Sequence, residues 1–281
     1  MGKDLEDLTG ALSEDPSAED VADGVGCTRH GAVAIVALSA PGRHNVLSLA
    51  GWLRLAQLFG RLSTETTIRA VVLRGAAGTF GAGADIKEFP QVRLDAAGAA
   101  RYNEAIAGAL RSIQACPHPV VAMIRGLAVG GGLELAAACD LRLSASDARF
   151  GLPIAKLGVT LGVTETRALT RIIGPANLTH LVLSGRLFEA GEALRIGLVQ
   201  ELHDPRELEA ATALLVERVT AGSSATIRGL KAVIEMADRP LREADTEFLV
   251  RQTVEVYPGP DLSEGVQAFR DRRPARFPST L

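Results

Sequence analysis

Two glycine-rich turns hold the residues of this chain best suited to chemistry. Residues 79–89 (TFGAGADIKEF) and residues 126–134 (GLAVGGGLE) each follow an apolar run of strand length. Glycine in such turns permits backbone conformations, and a closeness of approach to a ligand, that a Cβ would block. Main-chain N–H groups thereby become available to a ligand oxygen. Those of the second turn also open a helix, where unpaired donors and the helix dipole favour negative charge. One donor from each turn would make an oxyanion hole, the arrangement that stabilises an enolate or a tetrahedral anion. Taken singly, either turn is explained as well by tight packing; it is the pair, with its flanking residues, that points to chemistry. Nucleotide-phosphate loops fit poorly, because residues 81–84 (GAGA) lack the last glycine of GxGxxG and no GxxxxGK occurs. No GxSxG nucleophile elbow is present.

The elements that must position these turns alternate. Residues 32–38 read as a strand closed by Pro41 and Gly42, residues 47–62 as a helix with Leu49, Leu53 and Leu58 among its apolar positions, and residues 70–73 as a second strand. An alanine-rich helix over 93–115 stops at Cys116-Pro117-His118-Pro119, and a strand over 120–124 leads into the second glycine turn. A helix from Gly130 to Cys139 and a strand over 141–144 follow. Strand and helix in turn give an α/β fold. From about residue 164 the pattern is helical, over 164–173, 176–183, 190–196, 205–220, 225–237 and 241–256, with stops at Gly174, Gly185 and Gly197.

Composition narrows the function classes. A chain of 281 residues that is 47% hydrophobic and 22% charged builds a packed, enzyme-sized body. Aromatics at 4% argue against a stacking platform for single-stranded nucleic acid. The net charge of −3 is uneven, because residues 1–24 carry eight acids against Lys3 and leave the body weakly basic. Such a body suits a small anionic ligand better than a nucleic-acid duplex. The acidic segment reads as a disordered lead-in. Its charge is wrong for a signal peptide or a mitochondrial presequence. The longest apolar stretch, residues 119–138, contains Arg125, Glu134 and four glycines, so it reads as strand, turn and helix and not as a membrane span. Cys27, Cys116 and Cys139 are odd in number and widely spaced, which suits reduced thiols in the cytoplasm. The five histidines have no metal-ligand spacing, and no metal or redox cofactor is expected.

From about Gly31 to Phe277 the sequence resembles the crotonase, or enoyl-CoA hydratase/isomerase, superfamily. Residues 41–47 (PGRHNVL) are similar to its P-x-x-x-N-A-L segment, residues 80–88 (FGAGADIKE) to F-x-A-G-A-D-I-K-E, residues 124–135 (IRGLAVGGGLEL) to N-G-x-A-x-G-G-G-x-E-L, and residues 148–153 (ARFGLP) to A-x-F-x-x-P. The resemblance implies an α/β crotonase (ClpP/crotonase-like) spiral of ββα units over 25–220 and a helical trimerisation region over 221–281, assembled as a homotrimer or homohexamer. It implies that the amides of Ala84 and Gly131 grip a thioester carbonyl and that Glu134 is the general acid/base. Ala82, Asp85, Ile86 and Lys87 fall on the substrate and CoA side, Asp85 as a structural residue and Lys87 near the CoA phosphates. Arg272 falls where relatives place a basic residue on a neighbouring subunit's CoA. Coenzyme A arrives as part of the substrate.

One departure stands out. The family's second glutamate directly follows the proline of F-x-x-P, and that residue here is Ile154, which can neither give nor take a proton. A positioned acid or base contributes typically ~10²–10⁴ in rate. Three accounts follow: Glu134 acts alone, in hydration or in moving a proton between carbons of the acyl chain; Glu165, in residues 162–167 (GVTETR), substitutes; or the chain binds acyl-CoA with little or no chemistry. For Glu165 the plainer role is an acid at a helix N-terminus. A serine peptidase on the related ClpP-like fold would need a nucleophile beside the second turn, yet residues 130–135 contain no Ser, Thr or Cys. The expectation is hydratase-like lyase or isomerase chemistry on an acyl-CoA through an enolate.

Overall fold

The computed structural model describes residues 3–237 and 239–277. In chain order its elements are α1 (Lys3–Ser13), β1 (Val21–Ala22), β2 (Val25–His30), β3 (Val33–Leu38), α2 (Leu49–Leu62), β4 (Ala70–Gly75), α3 (Phe89–Val92), α4 (Ala96–Gln114), β5 (Val120–Ile124) and β6 (Leu127–Val129). There follow α5 (Gly131–Ala138), β7 (Leu141–Ala145), β8 (Arg149–Gly151), α6 (Ile154–Leu157), α7 (Val163–Ser184), β9 (Leu187–Glu189), α8 (Ala190–Arg195), β10 (Glu201–His203) and α9 (Leu208–Thr220). Three helices close the chain: α10 (Ser224–Ala237), α11 (Glu243–Val256) and α12 (Pro260–Asp271).

The apolar strands are continuous because both faces of the sheet they form are covered. Seven strands lie in the order β1-β2-β3-β4-β5-β7-β10, antiparallel from β1 to β3 and parallel beyond. On one face Ala34, Val36, Leu38, Val71, Leu73, Ala122 and Ile124 pack with helices α2, α4, α5 and α7. The alternate residues, Val33, Ile35, Ala70, Val72, Val121, Met123 and Leu143, meet Leu8 and Leu12 of α1 and Leu208, Ala213 and Val216 of α9. A second sheet, β6-β8-β9, stands at the mouth of the second glycine turn.

Helix starts follow local side-chain chemistry. Ser48 accepts the Gly51 N–H at 3.2 Å to cap α2, and Asp95 accepts the Gly98 N–H at 2.6 Å to cap α4. Gly174, at φ 74°, breaks α7 into the two segments the sequence separates.

The acidic lead-in departs from its expected disorder, because α1 is a helix in which Leu8 and Leu12 are buried. Leu5, Leu8 and Leu12 recur at helical spacing and form an apolar stripe that the density of acids hides in the sequence. Beyond α1, the Asp15 carboxylate accepts the Ala77 N–H at 3.0 Å and faces Arg74 at 3.4 Å, which pins the segment to the turn after β4. Among the described residues no helix is long and apolar enough to cross a membrane.

Candidate active site

The first glycine turn is laid against Leu47. The Leu47 N–H donates to the Gly83 carbonyl at 2.8 Å, and the Asp85 N–H donates to the Leu47 carbonyl at 2.8 Å. In such a one-residue parallel bridge the central residue, Ala84, turns its own N–H to the opposite side. The second turn is anchored by the Gly130 N–H on the Gly151 carbonyl at 2.9 Å, and Gly131 then opens α5. As the first residue of a helix, Gly131 has an N–H without an intrahelical partner. Among the described residues neither Ala84 nor Gly131 donates its N–H to a protein acceptor.

Glycine is what lets the two turns touch. A Cβ on Gly83 would lie 2.5 Å from the Gly131 nitrogen, and one on Gly132 would lie 2.0 Å from the Gly81 carbonyl oxygen. Gly83 also sits at φ +85°, in the region that side chains disfavour. The Gly81 N–H bonds the Leu127 carbonyl at 2.8 Å, and the Val129 N–H bonds the Gly81 carbonyl at 3.0 Å, so the loops are stitched together beside their free donors.

Glu134, on the first turn of α5, is buried, and its carboxyl group has no hydrogen bond among the described residues. Burial pushes it up to about 8, with Glu165 adding to the rise and Arg93 opposing it. Glu165 lies near the start of α7, is also buried, and has one carboxylate oxygen without a hydrogen-bond partner. Ile154 opens α6 and is buried as well. It fills with hydrocarbon the position where a second carboxylate is expected.

Arg93 completes the group. Its guanidinium lies 4.7 Å from the ring centres of both Phe89 and Tyr102 and donates to the Asn103 side-chain oxygen at 2.7 Å. Burial lowers its proton affinity, and Tyr102, Glu134 and Glu165 counter that effect. The sequence reading missed Arg93, because an arginine just ahead of a helix cap looks like any other surface cation.

Ala84, Gly131, Glu134 and Glu165 thus belong to one neighbourhood. The expected CoA-side residues are more scattered. The Ala82 N–H donates to the His44 carbonyl at 2.8 Å. The Asp85 side chain accepts the Lys87 N–H at 3.2 Å and pairs with Arg43, tying residues 41–47 to the first turn. Ile86 and Lys87 are exposed. Arg272 ends α12 at φ 55°, exposed, with no described bond to either glycine turn. No group of three or more His, Cys, Asp or Glu among the described residues is arranged to hold a metal ion. Two unpaired donors on touching turns, with a buried acid on the helix that one of them opens, are the groups needed to polarise a carbonyl while a proton is moved nearby.

Comparison with known proteins identifies the family and the fold. The enoyl-CoA hydratase/isomerase family model matches residues 28–280. A crotonyl-CoA hydratase of Syntrophomonas wolfei is 32% identical over 252 residues, covering 87% of this chain and 94% of that protein. An (E)-benzylidenesuccinyl-CoA hydratase of Thauera aromatica is 33% identical over 253 residues, covering 87% and 95%. The crystal structure of an enoyl-CoA hydratase/carnitine racemase from Magnetospirillum magneticum superposes with a TM-score of 0.87 at 37% identity, covering 92% of this chain and 97% of that one.

Proposed function

This chain belongs to the enoyl-CoA hydratase/isomerase family and has its crotonase fold, and we propose that it hydrates a 2-enoyl-CoA thioester with one carboxylate, Glu134, making both proton transfers. The observation that carries this reading is the buried, unbonded Glu134 beside two unpaired N–H groups, with Ile154 where a second acid would stand. Ionised Glu134 takes a proton from water as the water oxygen bonds to C3. The C2–C3 π electrons shift toward the thioester, whose oxygen becomes an enolate oxygen held by the Ala84 and Gly131 N–H groups. Protonated Glu134 then returns its proton to C2, which restores the thioester carbonyl. Water has been added and the carboxylate regenerated.

Glu165 is the auxiliary in this reading, a buried carboxylate whose charge adds to the proton affinity of Glu134. Ala82, Asp85, Ile86 and Lys87 line the CoA side, and Arg272 reaches the CoA of a neighbouring subunit. The assembly is a homotrimer or homohexamer built through α10 to α12, whose Leu230, Ile234, Val250, Val254 and Phe269 are exposed in the single chain. The unpaired cysteines suit the cytoplasm.

The test is loss of the conjugated-thioester absorbance of crotonyl-CoA and longer 2-enoyl-CoAs. Glu134→Gln is expected to lower kcat by ~10²–10⁴. Undiminished turnover in that variant, or tight binding without turnover in the wild type across the panel, would overturn the reading.

A further inference from the structure

A phenol buried in a core must find hydrogen-bond partners. Tyr102, on the inward face of α4, is 0% exposed and finds two. Its hydroxyl lies 2.9 Å from Glu88 Oε1 and 3.3 Å from the Leu47 carbonyl oxygen. Both atoms already hold other groups. Glu88 Oε1 accepts the Leu49 N–H at 2.6 Å, which is the first amide of α2. The Leu47 carbonyl accepts the Asp85 N–H, while the Leu47 N–H holds the Gly83 carbonyl. The hydroxyl is therefore one bond away from the residue that grips Ala84 on both sides.

The same node reaches the second turn by another route. Helix α2, whose first amide Glu88 holds, carries Trp52 one turn further along. The indole packs so closely on Gly131 that a Cβ there would lie 2.8 Å from the ring. Trp52 is 0% exposed, and its N–H has no partner in hydrogen-bond geometry. The ring's place is set by packing, by where α2 begins and by the Tyr102 hydroxyl that its N–H faces.

We propose that Tyr102 is a positioning residue whose hydroxyl, through Glu88 and Leu47, sets the spacing between the Ala84 and Gly131 N–H groups. This rests on the oxyanion reading above and adds to it a residue outside both glycine turns. Burial keeps the phenol protonated, so it acts as a donor throughout the working pH range. Oxyanion donors act over a narrow distance range, and a misplacement of about 1 Å can cost ~10²-fold in rate. Removing the hydroxyl leaves the ring in place, so the stacking on Arg93 survives while the link between the loops is cut.

The experiment uses Tyr102→Phe in the full chain with two readouts. Infrared difference spectroscopy of bound, carbonyl-13C-labelled butyryl-CoA, which does not react, reports how strongly the two N–H groups polarise the thioester. Steady-state kinetics on crotonyl-CoA give kcat and KM. The expected result is a red-shifted carbonyl band in the wild type that moves back toward the free ligand in the variant, with kcat down roughly 10–100-fold and KM within about threefold. Val216→Ala, a core substitution on the far face of the sheet, should lower thermal stability and leave the band where the wild type has it. A full wild-type red shift in Tyr102→Phe overturns the proposal, even if that variant is less stable. No red shift in the wild type overturns the oxyanion reading, and the proposal with it. Should Tyr102→Phe not fold, Glu88→Gln replaces it, since it keeps the shape but weakens the acceptor, and the same loss of red shift is required.

Discussion

At the scale of single residues, the proposed chemistry turns on how Glu134 holds its proton. Burial raises the carboxyl from an ordinary 4.5 to about 8, so the folded chain keeps a proton that the unfolded chain has already released over that interval. The stability this contributes is complete below 4.5 and is lost as pH rises through 8. Urea midpoints measured across that range should fall with pH in the wild type more steeply than in Glu134→Gln. Because the proposed cycle begins with the carboxylate, kcat/KM should rise with pH through about 8, the value belonging to the free enzyme. Arg93 opposes the rise in Glu134, so Arg93→Met should move that midpoint to higher pH. A rate that falls through the same pH would mean that the resting group is a proton donor and that the first step written above is wrong. Of these residues the family resemblance points to Glu134 and offers Glu165 as a substitute for the acid replaced by Ile154. Arg93, Tyr102 and Trp52 are illegible in the sequence. Each reaches the site across a helix interface, and no periodicity distinguishes a core aromatic from one that braces a loop.

At the scale of elements, the contact between two loops is the demanding feature. A methyl group on Gly132 would lie 2.0 Å from the Gly81 carbonyl oxygen, and both are backbone positions with no side chain to swing aside. Gly132→Ala should therefore destabilise the chain by about 1–3 kcal/mol, as overpacking does, and should lower kcat more than stability alone explains. Chemical denaturation and crotonyl-CoA kinetics on the same preparation separate the two effects. These glycines were readable because close approach needs residues without a Cβ, and that need is written in residue type. The three-residue strands β8 and β9 were not, being too short to show a period, although β8 supplies the Gly151 carbonyl that anchors Gly130.

At the scale of the whole molecule, the seven-stranded sheet is covered on both faces, and the amino-terminal helix forms part of one cover. Leu12 is 0% exposed against strand residues and α9. Leu12→Ala should cost about 2–5 kcal/mol, read from urea denaturation, with the two glycine turns unaltered. The apolar residues left open on α10 to α12 should be covered by assembly. Sedimentation velocity should give a trimer or hexamer, and charges placed at Leu230 and Ile234 together should dissociate it. The alternation of strands and helices made the α/β class legible, whereas α1 was obscured because acid content speaks for solvation and only the leucine spacing speaks against it.

The pairing of α1 with α9 also bears on how the chain is made. Synthesis runs from the amino end, so Leu8 and Leu12 leave the ribosome long before Leu208, Ala213 and Val216, their partners on the same face. Strand β7 likewise waits for β10 to complete its edge. Until then a nascent chain bears an uncovered apolar surface and an unpaired strand, the features that draw chaperones and favour aggregation. Chains arrested before residue 208 should be retained by a ribosome-associated chaperone, and release should coincide with the emergence of α9.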